Sequence, residues 1–554
     1  MGSHDTGEGF SDSAAGAEAK HVSTKHPTSQ PIPAHTPFNS RRALLLAWIG
    51  LLGGIALIGV IMMPSEIWGG DPTAWREETR SIVYRHQLAV DPAITADFQE
   101  GIEPGQYYVQ NPRNGNWYSK YGIVNSIMSV PPMFVQRLTL GDSPHYRDMP
   151  DVLIFNIWNI LLTLALATVL MKLAAFYTPR LASRVVFVIC VLYCTYLWYY
   201  LRAQSSEIYQ TLFYCTAFLY WLRFARSLPQ QDPEGSQKSG AIQQQLGLLL
   251  MWLFIGLLVL TRVLYGLLLP SYGMLLIVAI WRLPPQQRRA EARRLWPIVL
   301  LPPAAIVLLL GIVNDVKFGS PLLSGYHQWR PEQHLPTGPL WSGLYGLLLH
   351  PRFSLLLYFP AFTLCSPMVW RFFRKYPLEA AAAIGGLLIF LLGLAKIPTW
   401  AGEWTYGPRY ILFALPVASL PFIMLLDVLI DRVRAASLWA LAASAGIASL
   451  LFYSAYIQFR ANELDFFAYY YVRVPVDSQV AGGYLDRRPV GMILDDLLRH
   501  RDQLDSMHWF VAIRNAQTPA ETAQYRQWVL DVLSRRNLYW LRRHQHANPG
   551  RSST

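Results

Sequence analysis

The chain has 554 residues, of which 53% are hydrophobic and only 15% charged, a more apolar and less charged mix than a soluble globular protein carries. Its formal charge is +12. The basic residues gather beside apolar runs, where anionic lipid and membrane orientation account for them, so nucleic acid is discounted as a partner. The four cysteines, Cys190, Cys194, Cys215 and Cys365, all fall inside apolar runs and form no disulfide framework in an exposed loop.

Residues 1–40 are rich in Ser, Ala, Gly, Thr, His and Pro without periodicity. Such a segment cannot bury enough surface to offset its chain entropy, and it is read as a disordered cytoplasmic tail. It is too long and too polar for the start of a signal peptide, so the first apolar run is expected to stay as an anchor.

That run covers 43–63 and opens a series of spans near 151–174, 184–201, 207–223, 244–261, 264–281, 297–314, 353–370, 378–396, 409–428 and 437–457. They run about 17–24 residues, the length that crosses roughly 30 Å of hydrocarbon at about 1.5 Å per residue. The expected fold class is an all-α polytopic membrane protein of about eleven transmembrane helices. With the tail inside, the short inner loops hold fifteen Lys and Arg against four in the short outer ones, Arg202, Arg262, Lys396 and Arg409. This bias puts the N-terminus in the cytoplasm and three long segments, 64–150, 315–352 and 458–554, on the outer side.

The first outer segment holds "TAWREETRSIVYR", where Trp75, Thr79, Ile82 and Val83 recur at helical spacing, so a surface-lying helix is expected. It also holds "GIVNSIMSVPPMFVQRL", apolar but too short to span and broken by Pro131 and Pro132, which is expected to lie along or dip into the outer leaflet. The stretch 458–554 contains two amphipathic runs and reads as a small, mainly helical soluble segment. The sequence has no Gly-rich phosphate loop, HExxH or paired CxxC, so nucleotide hydrolysis and a thiolate metal site find no support.

Asp71 stands at once after the first span, before Pro72. It reads equally as a helix N-cap and as a carboxylate that accepts a proton from an acceptor hydroxyl. In "GNWYSKYG", Lys120 lies between Tyr118 and Tyr121, either as a headgroup-level anchor or as a point charge on a phosphate. Glu207 and Arg262 sit in very short outer connections, where snorkelling competes with a shared mixed-charge cleft. In "KIPTWAGEWTYGPRYILF", Trp400, Trp404 and Tyr406 either stack on a sugar face or form the aromatic belt, and Arg409 pairs with a phosphate or with Glu403. Asp315 is expected to pair with Lys317. No clustered carboxylate pair marks a metal site.

The order of these features resembles membrane-embedded glycosyltransferases of the GT-C superfamily: an Asp after the first span, "YSKYG", "SSEIY" opening the fourth span, "LTR" ending the fifth, "NDVKFGSPLLSGY" and "WTYGPRYILF". The nearest branch is the bacterial relatives of the dolichyl-phosphate-mannose protein mannosyltransferases and the lipid A aminoarabinose transferases, over residues 43–457. The resemblance implies a bacterial inner-membrane enzyme that takes a sugar from a polyprenyl-phosphate carrier at the outer face. Its acceptor would be a lipid, glycan or protein. Asp71 matches the general base, Lys120 the residue on the carrier phosphate with Arg262 and Arg409 assisting, and Glu207 an acidic position of the family. The tyrosines and tryptophans named above would line the substrate pocket. The carrier bond is already activated, so no cofactor is implied. Pro72 stands where many relatives have a second acid, and Gly122 where Pro is common. A transporter or lipid-binding membrane protein without chemistry is the rival reading, favoured by inverted repeats that the chain does not display.

Overall fold

The computed structural model describes residues 41–64, 70–92, 107–141, 149–228, 237–328, 335–350, 354–398, 400, 406–435, 437–463 and 518–520. The expected tail, 1–40, and nearly all of the expected C-terminal segment lie outside them.

The chain is a multi-pass helical membrane protein. In order come α1 (Arg41–Ile61), α2 (Gly70–Arg85), a hairpin of β1 (Tyr108–Gln110) and β2 (Trp117–Ser119), then α3 (Ile123–Met128), α4 (Val130–Leu140), α5 (Met149–Ala175), α6 (Leu181–Tyr193), α7 (Leu197–Arg202) and α8 (Ser206–Ser227). They are followed by α9 (Gln237–Thr261), α10 (Leu268–Trp281), α11 (Pro285–Phe318), α12 (Leu340–Leu348), α13 (Ser366–Lys375), α14 (Pro377–Ala395), α15 (Pro421–Arg434) and α16 (Leu438–Glu463).

Among the described residues seven helices are long and apolar enough to cross a membrane: α1, α5, α9, α10 with its 3-10 lead-in, α11, α14 and α16. Arg409–Ala418 and Pro421–Arg434, bent by 43°, make an eighth if taken as one span. All eleven apolar stretches of the sequence carry helix, but several are interrupted. The 184–201 stretch breaks between α6 and α7, and 353–370 breaks at Phe359, whose φ of −140° precedes Pro360. A hydropathy window averages across such breaks and does not register them.

Packing follows the demands of lipid. α11 leaves Leu300, Leu301, Val307, Leu308 and Ile312 exposed, and α8 is buried almost throughout, with Tyr214, Phe218 and Trp221 fully enclosed. The most extensive helix pairing is α8 on α9, and α5 also packs on α8. Small residues allow the closest approaches: a Cβ on Gly59 would lie 2.8 Å from Ile160, and one on Gly256 2.9 Å from Ile306.

Segment 64–150 departs from expectation in two ways. α2 does not lie on a surface: Ala74, Trp75, Arg76, Glu77, Glu78 and Thr79 are all at most 2% exposed. Its charged side chains find buried partners, which the amphipathic pattern of the sequence did not foretell. The segment also contains the antiparallel hairpin, paired Tyr108 to Ser119, Val109 to Tyr118 and Gln110 to Trp117. α4 buries Met133 and leaves Phe134, Val135 and Leu138 exposed.

Candidate active site

Asp71 occupies the first turn of α2. Its carboxylate has partners beyond that helix. Oδ1 accepts a hydrogen bond from the Tyr121 hydroxyl, and Oδ2 accepts one from Arg409 Nη1 at 3.1 Å. Tyr121 is delivered by the turn after β2, and Arg409 opens the 3-10 segment Arg409–Ala414. Three distant parts of the chain therefore close on one carboxylate, 23% of whose side-chain surface stays open.

The path of the chain past Tyr121 requires a glycine. A Cβ at Gly122 would sit 2.1 Å from the Leu260 carbonyl oxygen and 2.5 Å from that of Thr261. The backbone thus lies directly on the end of α9, and Asn125 Nδ2 fastens it by donating to Thr261 O at 3.2 Å. Where the resembled family often has proline, this chain uses the missing side chain to bring Lys120 and Tyr121 against Arg262, the residue that follows α9.

Arg262 is extended, with φ −160° and ψ 126°, between the end of α9 and the 3-10 turn Val263–Leu267. Its guanidinium lies 4.5 Å from the Tyr410 ring centroid and 6.0 Å from that of Tyr326. It is 8% exposed, and its Nη1 finds no hydrogen-bond acceptor among the described residues. The Lys120 ammonium sits among the rings of Tyr107, Tyr121 and Tyr326, at 5.9, 5.3 and 5.2 Å. Lys120 is only 5% exposed, too buried for a headgroup-level anchor. Glu207, 2% exposed in the first turn of α8, holds Oε1 3.9 Å from Arg409 Nε. Neither Glu207 nor Arg262 snorkels.

The electrostatics of this cluster favour an ionised Asp71. Burial opposes its charge, but the Arg409 guanidinium, then Lys120, the Tyr121 hydrogen bond and Arg262 together hold its carboxyl below the usual 3.8. Burial, then the charge of Asp71, push the Tyr121 phenol well up, so it stays a donor. The three cations Lys120, Arg262 and Arg409 face the two carboxylates Asp71 and Glu207, a surplus of one positive charge suited to an anionic ligand.

Other residues of the sequence reading stand elsewhere. Tyr118 is buried on β2 with its hydroxyl accepting from Asn114 Nδ2 at 3.2 Å, apart from the cluster. Tyr406 is packed against Tyr199 and Tyr358, and its hydroxyl donates to Gln458 at 3.0 Å. The Trp400 ring covers Gly346 of α12 so closely that a Cβ there would be 2.0 Å away. Trp404 and Glu403 lie outside the described residues. The expected Asp315–Lys317 pair is not formed. Residues two apart on a helix point to different sides; Asp315 instead meets Arg113 at 2.8 Å, and Lys317 meets Glu78 at 2.7 Å.

Sequence reasoning missed Tyr107, Tyr326 and Tyr410, which line the cations, and the Glu78–Lys317 pair. Lys317 and Tyr326 both belong to "NDVKFGSPLLSGY", so the stretch was visible but its roles were not. A small, mainly apolar cavity lined by Ile55, Met62, Ile160, Trp198 and Arg202 shares no residue with the charged cluster. No group of three or more His, Cys, Asp or Glu fit to hold a metal occurs among the described residues.

No family model matches the chain, and no curated protein does. Among solved structures it is similar to ArnT from Cupriavidus metallidurans bound to undecaprenyl phosphate, at 12% identity and a TM-score of 0.49, covering 92% of this chain and 80% of that one. It is also similar to the archaeal oligosaccharyltransferase AglB from Archaeoglobus fulgidus in complex with an inhibitory peptide and a dolichol-phosphate. There the identity is 14% and the TM-score 0.48, over 87% of this chain and 59% of that one. Both neighbours belong to the GT-C superfamily that the sequence motifs resemble.

Proposed function

We propose that this protein is a glycosyltransferase that moves a sugar from a polyprenyl-phosphate carrier to a lipid, glycan or protein acceptor, with Asp71 as general base. The observation that carries the reading is the convergence on Asp71: an ionised, partly open carboxylate hydrogen-bonded to Tyr121 and Arg409, with Lys120 and Arg262 in the same cluster.

Displacement at an anomeric carbon builds positive charge on the acceptor hydroxyl and negative charge on the departing phosphate. A carboxylate on one side and cations on the other stabilise both. Asp71 takes the acceptor proton as the new glycosidic bond forms. Lys120 and Arg262, with Arg409, receive the carrier phosphate as its bond to the sugar breaks. Attack opposite the leaving phosphate is a single displacement, so the anomeric configuration inverts. Glu207 faces Arg409 through Nε at 3.9 Å. Burial strengthens each of these interactions relative to water.

The topology of this reading has eleven crossings, the N-terminus in the cytoplasm and the C-terminus outside, in a bacterial inner membrane. The interrupted stretches at 184–201, 353–370 and 409–428 then count as crossings that are broken near the site. The site faces the periplasm or exterior.

The direct experiment is the lipid and glycan profile of a deletion strain beside its parent, followed by transfer by the purified protein from the carrier so named. Loss of one glycosylated product, restored by the wild-type protein and not by Asp71→Asn, is expected. Identical profiles, or restoration by Asp71→Asn, would overturn the reading.

A further inference from the structure

Behind the charged cluster lies a second set of buried ionic groups that touches neither face of the proposed reaction. Glu78 of α2 and Lys317 of α11 meet at 2.7 Å with both side chains 0% exposed. Ser126 of α3 donates to the second carboxylate oxygen of Glu78 at 2.6 Å. Lys317 Nζ has another partner: it donates to the backbone carbonyl of Tyr121 at 2.7 Å. Tyr121 in turn gives its hydroxyl to Asp71.

A fully enclosed ion pair is an inefficient way to hold helices together, because the desolvation of two charges largely cancels their attraction. Its retention calls for a geometric explanation. The Tyr121 peptide lies between β2 and Gly122, where no helix or strand bond holds its carbonyl, and Lys317 supplies that bond. The ring is then fixed edge-on by Trp75 at 5.6 Å and Tyr326 at 6.2 Å, leaving its hydroxyl directed at Asp71.

We propose that Lys317, held by Glu78, is a positioning residue: it anchors the Tyr121 peptide so that the Tyr121 phenol is presented to Asp71. The inference deepens the transferase reading by adding a device that tunes the base. It also makes a statement about Asp71 that stands without any measurement of transfer.

The test is the pH midpoint at which Asp71 takes up a proton, read from infrared difference spectra of each protein against its own Asp71→Asn counterpart in lipid nanodiscs. The groups that face Asp71 are Arg409, Lys120, Tyr121, Arg262 and Tyr326, with Glu207 beside Arg409; all stay in place except where varied. Tyr121→Phe is expected to raise the midpoint, since one donor to the carboxylate is lost. The paired variant Glu78→Gln with Lys317→Met leaves no buried charge unpaired, and it is expected to raise the midpoint in the same direction. Adding it to Tyr121→Phe is expected to raise the midpoint little further, because both changes remove one interaction.

A paired variant that folds and titrates at the wild-type midpoint would overturn the proposal, leaving the pair a structural contact only. Should the paired variant fail to accumulate, Lys317→Arg carries the test. It keeps the charge opposite Glu78 but displaces the donor from Tyr121 O, so an upward midpoint supports the proposal and an unchanged one overturns it. Variants that show these shifts, in a protein whose wild type transfers no sugar, would sink the transferase reading and leave this one standing.

Discussion

Arg409 and Asp71 lie 338 positions apart in the chain and meet at 3.1 Å. Burial opposes the charge of the carboxylate, and the guanidinium is the largest influence favouring it. Removing the charge at nearly constant shape, Asp71→Asn, is expected to lower turnover by about 10²–10⁴, the range for loss of a general base. Folding and membrane insertion should persist. The checks are turnover with a polyprenyl-phosphate sugar and the thermal midpoint in detergent.

The same depression fixes a pH dependence. A carboxyl whose folded pKa lies below its unfolded value contributes stability above the unfolded value and loses it as pH falls through the folded one. Asp71 should therefore stay ionised across the neutral range, and turnover should decline only below the ordinary carboxylate value of 3.8. A rate profile taken downward from neutrality tests this; an acid limb near pH 6 would mean that the cations do not govern Asp71.

Lys120 has three tyrosine rings around its ammonium and little exposure. Lys120→Ala is expected to raise KM for the carrier lipid about ten-fold or more, the loss of one charge-assisted contact of roughly 1.5–3 kcal/mol, while KM for the acceptor changes little. Equal losses for the two substrates would place Lys120 away from the phosphate.

Gly122 is fitted against the end of α9, and Gly53 of α1 has open space where a Cβ would be. Gly122→Ala should destabilise the protein by about 1–3 kcal/mol, the usual cost of overpacking, and should depress turnover because Tyr121 and Lys120 are displaced with the backbone. Gly53→Ala should be nearly neutral. Paired thermal melts measure the difference.

Much of this site was legible one residue at a time. Asp71, Lys120, Glu207, Arg262 and Arg409 each stood out as an ionisable group beside an apolar run, where burying it unpaired is costly. Their partners were less visible. Tyr326 and Tyr410 are ordinary aromatics in a chain with 30 tyrosines, and only the fold selects them. Lys317 was matched to Asp315 because the two are near in sequence, although helix geometry sets them apart. The broken stretches escaped for a similar reason: apolar content sets where a segment is buried, whereas the turn at Phe359 depends on local dihedrals and on the proline beside it. α2 looks amphipathic in sequence, yet its Asp71 and Glu78 meet cations hundreds of residues away, Arg409 and Lys317.

The span of chain between Asp71 and Arg409 also sets a timetable for biosynthesis. At roughly 5–20 residues per second, the ribosome delivers the arginine about 17–70 s after the aspartate. A nascent chain halted anywhere in that interval carries the carboxylate without its counter-charge. The cluster around Asp71 is therefore complete only once the chain has been made past position 409.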